Sequence, residues 1–330
     1  MIILGIETSC DDTAASVVVD GREVLSMVVA SQTSTHHPYG GIVPELASRK
    51  HVEAITPVVK AAVKQSGLDI KSIEGIAVTR GPGLIGSLLV GFCFAKSIAF
   101  ALNIPWIGVN HLKGHLNSVF LEPKYPDFPF VALLASGGHT GIYHVCSHTH
   151  IELMGQTRDD AAGEAFDKVA KMMGLGYPGG SIIGSLAEAG DPEKIHFPRS
   201  YLNKSEFDFS FSGIKTSVNR YIQTHEEGLK EDIAAGFQEA VVEVLCFKLI
   251  NAAQKKGCRQ IAIVGGVAAN KRLREKIIYD AKKNNLKVFM PGLNLCGDNG
   301  AMIAALGYHY LKEGETSDFD CDVYSRTLNL

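Results

Sequence analysis

Two histidines four residues apart, His111 and His115 in the stretch HLKGH, have a residue type and spacing that could bind a metal ion. In a helix of 3.6 residues per turn, positions i and i+4 lie on the same face. The HExxH motif of zinc proteases uses this spacing, with its glutamate as the general base. Leu112, Lys113 and Gly114 separate these two histidines, so that base is missing. The stretch is either a metal site without a hydrolytic base or a pair of structural helix histidines.

Two turns of small polar residues could contact anions or reacting groups. In LLASGGHTG, Ser136, Gly137 and Gly138 follow an apolar run, and their backbone N–H groups would form a nest that favours an anion. In TSCDDT, Asp11 and Asp12 occupy the corresponding turn near the N-terminus and could position water, a metal or a hydroxyl. Each turn alone could equally serve only to reverse the chain.

Two further glycine turns follow apolar runs. GPGLIGS, residues 81–87, matches GxGxxG in form, but no acidic residue occurs from Leu84 to Leu121, where a dinucleotide fold would place its ribose contact. We therefore interpret it as close packing of a strand against a helix. IVGGVAANKRLRE places Asn270 near a helix start, where a nucleoside contact is plausible.

The composition describes an ordinary globular chain. Its 330 residues suggest about two domains. A net charge of −3 does not indicate a dedicated nucleic-acid binder, so any such contact must use a local patch. The seven scattered cysteines predict reduced thiols in a cytoplasmic protein, and we expect neither a signal peptide nor a membrane span. The candidate basic patches are Lys255–Lys256, Lys271/Arg272/Arg274/Lys276 and Lys282–Lys283.

The order of apolar runs predicts a duplicated α/β fold. IILGIET and AASVVVD predict a hairpin, and FVALLASGGHTGIYHV repeats that pattern in the middle of the chain. Strands alternating with helices imply mixed sheets with helices on their faces, in two lobes separated by a cleft. The first long helix is expected at about 42–65, with a kink or break at Pro57. Further strands are expected at GIAVTR, IPWIGVN, QIAIVGG and KVFMP, and further helices after GPGLIGS, at HLKGH and at about 160–174, 181–190, 231–256, 269–284 and 298–312.

Nine motifs occur in order along the chain: GIETSCDDTA, YGGIVPELASRKH, TRGPGLIGSLLVG, NHLKGH, LLASGGHT, DDAAGEAFDKVAKMMGLGYPGG, FSFSGIKT, VGGVAANKRLRE and CGDNGAMIA. Together they resemble the TsaD family of tRNA N6-adenosine threonylcarbamoyltransferases, formerly described as O-sialoglycoprotein endopeptidases. The resemblance implies the actin/Hsp70/sugar-kinase (ASKHA) superfold. We expect an N-terminal lobe of residues 1–112 plus about 299–330 and a C-terminal, nucleotide-binding lobe of residues 113–298.

The resemblance also implies a reaction and a metal. The threonylcarbamoyl group passes from threonylcarbamoyl-AMP to N6 of the adenosine 3′ of the anticodon, in tRNAs that read codons beginning with A. One divalent metal, Fe²⁺ or else Zn²⁺, would be held by His111, His115 and Asp298. Such a ligand set suits either ion and would polarise and position the threonylcarbamoyl group.

Further site residues are carried over by the same resemblance. Asp11 is a candidate for orienting the reacting groups. Relatives with YPGGP place an aspartate three residues after that proline, whereas this chain has Ser181 and Gly184 at those positions, which puts one nucleotide contact in doubt. The implied substrate-binding residues are Leu134, Ala135, Ser136, Gly137, Gly138, Asp167, Gly180 and Asn270.

The implied partners are tRNA, a metal-free TsaB-like paralogue, a TsaE-like ATPase and a synthase that makes the adenylate. We expect the partner face on the helices that begin IVPELASRKH and GPGLIGS. The rival classes are a metalloprotease, a kinase for a sugar or small acid, and an Hsp70-type nucleotide-gated module. A second metal at Cys146, His148 and His150 in CSHTH is the weaker interpretation of a stretch that is typical of a surface turn.

Overall fold

The computed structural model describes residues 1–201, 206–225 and 230–326. Its described residues form two five-stranded mixed sheets, and the N-terminal hairpin begins the first of them. β1 (Ile2–Glu7) pairs antiparallel with β2 (Asp12–Val19), and β2 pairs with β3 (Glu23–Ser31). β4 (Gly75–Gly81) lies parallel to β1, and β5 (Trp106–Asn110) lies parallel to β4. The central strands are apolar on both faces because helices cover the sheet.

The second sheet repeats this topology with later strands. β6 (Phe130–Ala135) forms a hairpin with β7 (Thr140–Val145), which neighbours β8 (Ile151–Gln156). β9 (Gln260–Val264) lies parallel to β6, and β10 (Lys287–Phe289) lies parallel to β9. The strand orders are β3-β2-β1-β4-β5 and β8-β7-β6-β9-β10, so the predicted duplication is confirmed.

The helices pack on these sheets. Helix α2 (Pro44–Ser66) begins at a proline and ends before Gly67, whose backbone is in the left-handed region. The helices are α1 (Thr33–His36), α2 (Pro44–Ser66), α3 (Ile85–Leu102), α4 (His111–Asn117), α5 (Ala162–Met172), α6 (Gly179–Ala187), α7 (Ser212–Thr224), α8 (Lys230–Lys256), α9 (Lys271–Lys283), α10 (Leu293–Cys296) and α11 (Gly300–Lys312).

The chain divides into two compact units, each with its own core. The first comprises Met1–Tyr125, Ser147–Ile151 and the described residues from Gly297 onward. The second comprises the described residues of Pro126–Cys146 and Glu152–Cys296. Helix α4, with both its histidines, and Asp298 therefore belong to the first unit. The last residues of the predicted range 299–330, residues 327–330, lie outside the described residues.

Helix α3 is long and apolar enough, by length and composition, to cross a membrane. It packs as a core helix of the first unit, with Leu88, Phe92 and Ala95 buried. Lys96 Nζ donates to the backbone carbonyls of Phe319 and Cys321 at 2.9 and 2.6 Å. These polar contacts are those of a helix inside a soluble protein.

The GPGLIGS turn packs closely, as the sequence indicated. A Cβ on Gly83 would lie 2.5 Å from the carbonyl oxygen of Ser9, too close for any side chain. The break expected at Pro57 is wrong, since α2 continues through that residue to Ser66. A proline removes one backbone donor, and the packing of a 23-residue helix on the first sheet tolerates that loss.

Candidate metal centre

Helix α4 presents two histidines to a carboxylate from a distant part of the chain. Its N-cap, Asn110, is the last residue of β5, and its side-chain oxygen accepts a hydrogen bond from the Lys113 backbone at 3.0 Å. His111 and His115 are both buried, and their rings meet edge to face with centroids 4.7 Å apart. The predicted shared face of a helix is therefore confirmed.

Asp298 completes the group. Asn299, the next residue, caps α11 by accepting from the Met302 backbone at 2.9 Å, which fixes the start of that helix. Oδ1 of Asp298 lies 3.0 Å from Nε2 of His115 and 3.6 Å from Nε2 of His111. The ligand atoms of these three residues all lie within 4.8 Å of one another.

The donor set fits a transition-metal ion. Tetrahedral ligands about 2.0–2.2 Å from one metal are about 3.4 Å apart, and the two N···O distances lie on either side of that value. Two imidazoles and one carboxylate with open positions suit Fe(II) or Zn(II). Nδ1 of His115 is buried without a hydrogen-bond partner among the described residues, a cost that purely structural histidines normally avoid.

Glu7, at the end of β1, orients His111. Its Oε2 lies 2.9 Å from His111 Nδ1 and also accepts from Thr79 Oγ1 at 2.5 Å. Its Oε1 accepts from the Ser9 backbone at 2.5 Å, so the fully buried carboxylate is held at both oxygens. This arrangement leaves Nε2 of His111 directed toward Asp298. Sequence reasoning missed Glu7, although a carboxylate inside an apolar strand was the available signal.

Burial and negative charge compete at His111. Burial alone would lower its pKa, but the charges of Glu7 and Asp298 and the hydrogen bond with Glu7 outweigh burial and raise the pKa to about 9. The carboxylates of Glu7 and Asp298 therefore make a negative environment around this ring, which favours a cation.

The predicted residue Asp11 lies in the turn before β2 and is half-buried. Burial and the charge of Asp298 raise its pKa above the usual range. The same two causes raise the pKa of Asp12 to about 7. Asp298 acts on both turn carboxylates electrostatically, so the first unit concentrates acidic groups around the histidine pair.

In the second unit, the predicted anion turn lies at the end of β6. Leu134 and Ala135 are buried, while Gly137 and Gly138 are exposed, and a Cβ on either glycine would meet no atom within 4 Å. The carbonyl oxygen of Ser136 accepts from the Gly163 backbone at 3.2 Å, which joins the turn to the start of α5. The Ser136 N–H donates to the His139 carbonyl at 2.8 Å, so the unobstructed part of the turn is Gly137 and Gly138.

The other predicted substrate residues lie on elements of the same unit. Oδ1 of Asp167 accepts from the Gly179 backbone at 2.7 Å, so this side chain supports the start of α6. Gly180 follows, with open space where a Cβ would stand. Asn270 caps α9 through Leu273 and donates to Gln238 at 2.7 Å. A Cβ on Gly184 would lie 3.8 Å from both Asn270 Nδ2 and Gln238 Oε1, in ordinary van der Waals contact with these two side chains.

One basic patch is largely paired with carboxylates. Arg272 makes two hydrogen bonds to Glu239, at 2.6 and 2.9 Å, and Lys271 pairs with Glu188 at 3.1 Å. Lys282 and Lys283, in the last turn of α9, are exposed. The exposed pair is the better candidate for phosphate contacts.

These features describe an α/β protein with the actin-like ATPase fold and a candidate His–His–Asp metal centre in its first unit. Solved structures of this fold include full-length HypF in its phosphate- and nucleotide-bound form, which matches with a TM-score of 0.63 and 16% identity over 96% of this chain and 47% of that chain. Component A of (R)-2-hydroxyglutaryl-CoA dehydratase from Acidaminococcus fermentans matches with a TM-score of 0.57 and 14% identity, covering 96% of this chain and 100% of that one. Identities this low show the fold alone.

The family follows from the sequence comparisons. Residues 23–305 match the model of the TsaD family, tRNA N6-adenosine threonylcarbamoyltransferase. The enzyme of that name from Desulforapulum autotrophicum is 61% identical over 330 residues, covering 99% of each chain. The one from Syntrophus aciditrophicus is 50% identical, covering 99% of this chain and 97% of that one.

The chain belongs to the TsaD family of tRNA N6-adenosine threonylcarbamoyltransferases. It is a transferase that forms N6-threonylcarbamoyladenosine at position 37 of tRNA. The family assignment decides against the metalloprotease, kinase and interaction-module classes that the sequence motifs had left as rivals.

Proposed function

We propose that His111, His115 and Asp298 hold one divalent metal ion, Fe²⁺ in preference to Zn²⁺, that the transfer reaction requires. The observation that carries this proposal is the convergence of two imidazole nitrogens and a carboxylate oxygen within 4.8 Å of one another. When bound, the ion would supply a Lewis acid and a template for the oxygens of the threonylcarbamoyl group.

The side chains around this group prepare it for a cation. Glu7 fixes the ring of His111 through Nδ1, and carboxylate–histidine pairs of this kind orient metal ligands in many proteins. The buried position of both rings reduces exchange with water. The first unit would thus keep the ligand atoms in place before substrate arrives, which lowers the reorganisation needed for catalysis.

The second unit carries the proposed adenylate site. Leu134 to Gly138 would cradle the phosphate and threonylcarbamoyl portion of threonylcarbamoyl-AMP, because no side chain at Gly137 or Gly138 obstructs the backbone there. Asp167 and Gly180 would contact the ribose or base, and Asn270 would contact the nucleotide. Asp167 and Asn270 also hold the starts of α6 and α9, so we expect them to position these helix ends as well as touch the ligand.

The reaction transfers the threonylcarbamoyl group from AMP to the adenosine amine. The N6 amine of the adenosine attacks the carbamoyl carbonyl, the bond from carbon to the phosphate oxygen breaks, and AMP leaves with the electron pair. The attacking nitrogen must also lose a proton. Asp11 is our candidate for orienting this amine, since its raised pKa makes its carboxylate a better proton acceptor than an exposed one.

We assign the partners by unit. The outer faces of α2 and α3 would bind a TsaB-like paralogue, and a TsaE-like ATPase and the synthase would complete the system. The tRNAs would be those that read codons beginning with A, and the protein would act in the cytoplasm. We propose that the predicted N-terminal lobe carries the partner face and that the predicted C-terminal lobe binds the nucleotide.

The test is a transfer assay with the full chain, threonylcarbamoyl-AMP, a tRNA that reads an ANN codon and the partner proteins. The readout is N6-threonylcarbamoyladenosine in digested tRNA, measured by mass spectrometry. The variant His111→Ala/His115→Ala lacks two metal ligands. Its transfer rate should fall at least about 100-fold, and it should no longer bind the metal. The control His37→Ala, an exposed histidine, should retain both. Full activity of the double variant would overturn the proposal.

A further inference from the structure

A second group of metal-ligand side chains lies on the sheet of the second unit. His144, on β7, has its Nδ1 3.0 Å from Oε2 of Glu152, on the neighbouring strand β8. Cys146, just beyond β7, has its Sγ 3.4 Å from the same ring nitrogen. The three ligand atoms all lie within 4.8 Å of one another. An imidazole, a thiol and a carboxylate therefore meet at one point.

This grouping differs from the one that the sequence CSHTH indicated. His148 belongs to the first unit, where its ring stacks on His309 with centroids 3.5 Å apart and its Nδ1 lies 2.7 Å from Asn117 Oδ1. The second metal at Cys146, His148 and His150 is therefore not formed. Cys146 instead joins His144, because residues i and i+2 of an extended chain project to the same side.

We propose that His144, Cys146 and Glu152 bind a thiophilic divalent cation of the Zn²⁺ class, separately from the His111 centre. Tetrahedral Zn²⁺ with bonds of about 2.3 Å to sulfur and about 2.0 Å to nitrogen separates those two atoms by about 3.5 Å. The Cys146–His144 distance of 3.4 Å already has that value. The carboxylate needs only a few tenths of an ångström of outward movement from its 3.0 Å contact.

The surroundings admit an ion and a fourth ligand. His144 and Cys146 are half-buried and Glu152 is exposed, so the ligands are accessible without opening the core. Lys256, at the end of α8, pairs with Glu152 at 2.8 Å and is the group that a cation would have to displace. Because Glu152 is exposed, water can supply the fourth ligand.

Cobalt substitution tests the proposal with the full chain. Co²⁺ bound to a thiolate produces a sulfur-to-metal charge-transfer absorption that nitrogen and oxygen ligands do not produce. The expected result is that apo protein titrated with Co²⁺ develops this band, and that Cys146→Ser and Glu152→Gln abolish or weaken it. There are two matched controls. Cys93→Ser removes an exposed thiol elsewhere. Cys10→Ser removes a thiol whose pKa the charge of Asp298, in the first candidate metal centre, helps to raise. Both should retain the band.

Two further measurements keep the proposal falsifiable if a variant folds poorly. In the wild-type chain, Zn²⁺ should slow alkylation of Cys146 at least about tenfold and leave Cys93 unaffected, as mapped by mass spectrometry. Lys256→Ala should tighten Zn²⁺ binding about two- to fivefold, because it removes an exposed ion pair that competes for Glu152. A missing charge-transfer band in wild-type protein, or a band that depends on Cys10 rather than Cys146, would overturn the proposal. Neither result depends on whether His111 and His115 bind their own ion.

Discussion

Nδ1 of His111 lies 2.9 Å from Oε2 of Glu7, and the Glu7 side chain is fully buried. The other contacts of this carboxylate, to Thr79 and the Ser9 backbone, come from the end of β4 and from the turn after β1. One glutamate thus connects two strands of the first sheet to the first residue of α4. This connection determines which nitrogen of His111 is available to a metal.

We expect Glu7→Gln to weaken metal binding about 10- to 100-fold, the usual effect of removing such an orienting carboxylate. The amide preserves the size of the side chain but removes its charge and one acceptor. Isothermal titration of the apo chain with Fe²⁺ or Zn²⁺ measures the effect. Glu53→Gln, an exposed carboxylate on α2, is the matched control. Equal affinities of Glu7→Gln and the wild type would show that Glu7 is only structural.

Gly179 and Gly180 should respond differently to alanine. A Cβ on Gly179 would lie 2.6 Å from Ala170 Cβ and 2.7 Å from Asp167 Cα, so Gly179→Ala should lower the free energy of unfolding by about 1–3 kcal/mol. A Cβ on Gly180 meets open space, so Gly180→Ala should leave stability unchanged and raise the KM for threonylcarbamoyl-AMP about tenfold. Urea unfolding and transfer kinetics separate the two effects. An unchanged KM in Gly180→Ala would remove this residue from the proposed substrate site.

Lys282 and Lys283 should contribute to tRNA binding by pairing with phosphate groups. Lys282→Ala/Lys283→Ala should weaken tRNA binding and reduce the slope of log K against log salt by about one for each phosphate that is no longer neutralised. Lys271→Ala is the control, since Glu188 already pairs with that ammonium group. Binding measured at several salt concentrations gives the slopes. A double variant with the wild-type slope would place the tRNA surface elsewhere.

The stacked pair His148 and His309 should make stability depend on pH. Burial, then the charges of His309 and Lys312, lower the pKa of His148 to about 3, and burial and Lys312 lower that of His309 to about 4. Both values lie below the 6.5 of an unfolded histidine, so the unfolded chain binds more protons in this range. The stability that the pair contributes is present above pH 6.5 and is lost as the pH falls toward 4.

Urea unfolding between pH 7 and pH 4 measures this dependence. The variant His309→Gln removes one of the two depressed pKa values, so its stability should fall less steeply over the same range. His37→Gln, an exposed histidine, should keep the wild-type slope. If all three proteins showed the same slope, the stacked pair would not be the source of the pH dependence.

The sequence alone predicted that the two histidines share one face of a helix, and it predicted most of the helices and strands. HLKGH, the two hairpins and the glycine turns have local patterns that determine local structure, and the helix and strand positions followed from them. β3, β8 and α7 were missed, because their amphipathic runs are short or irregular and packing on neighbouring elements stabilises them. The helix does not break at Pro57, since packing of the long helix α2 outweighs a local penalty.

The site was predictable only in part. Motif resemblance identified Asp298, but no spacing rule connects a residue at position 298 with one at position 111. Glu7 and the His144–Cys146–Glu152 group depend on contacts between strands or between distant segments, which a single sequence does not contain. The same holds for His148, whose partner His309 lies on α11. Such contacts require the three-dimensional structure.

Anomalous scattering from crystals of the full chain, grown anaerobically with Fe²⁺ and a stable analogue of threonylcarbamoyl-AMP, would locate the proposed metal ion. Data collected on both sides of the iron absorption edge distinguish iron from zinc. We predict one iron peak bonded to His111, His115 and Asp298 and in contact with the threonylcarbamoyl portion of the analogue. Absence of anomalous density at these three side chains, in crystals of protein that modifies tRNA in solution, would contradict the proposed metal centre.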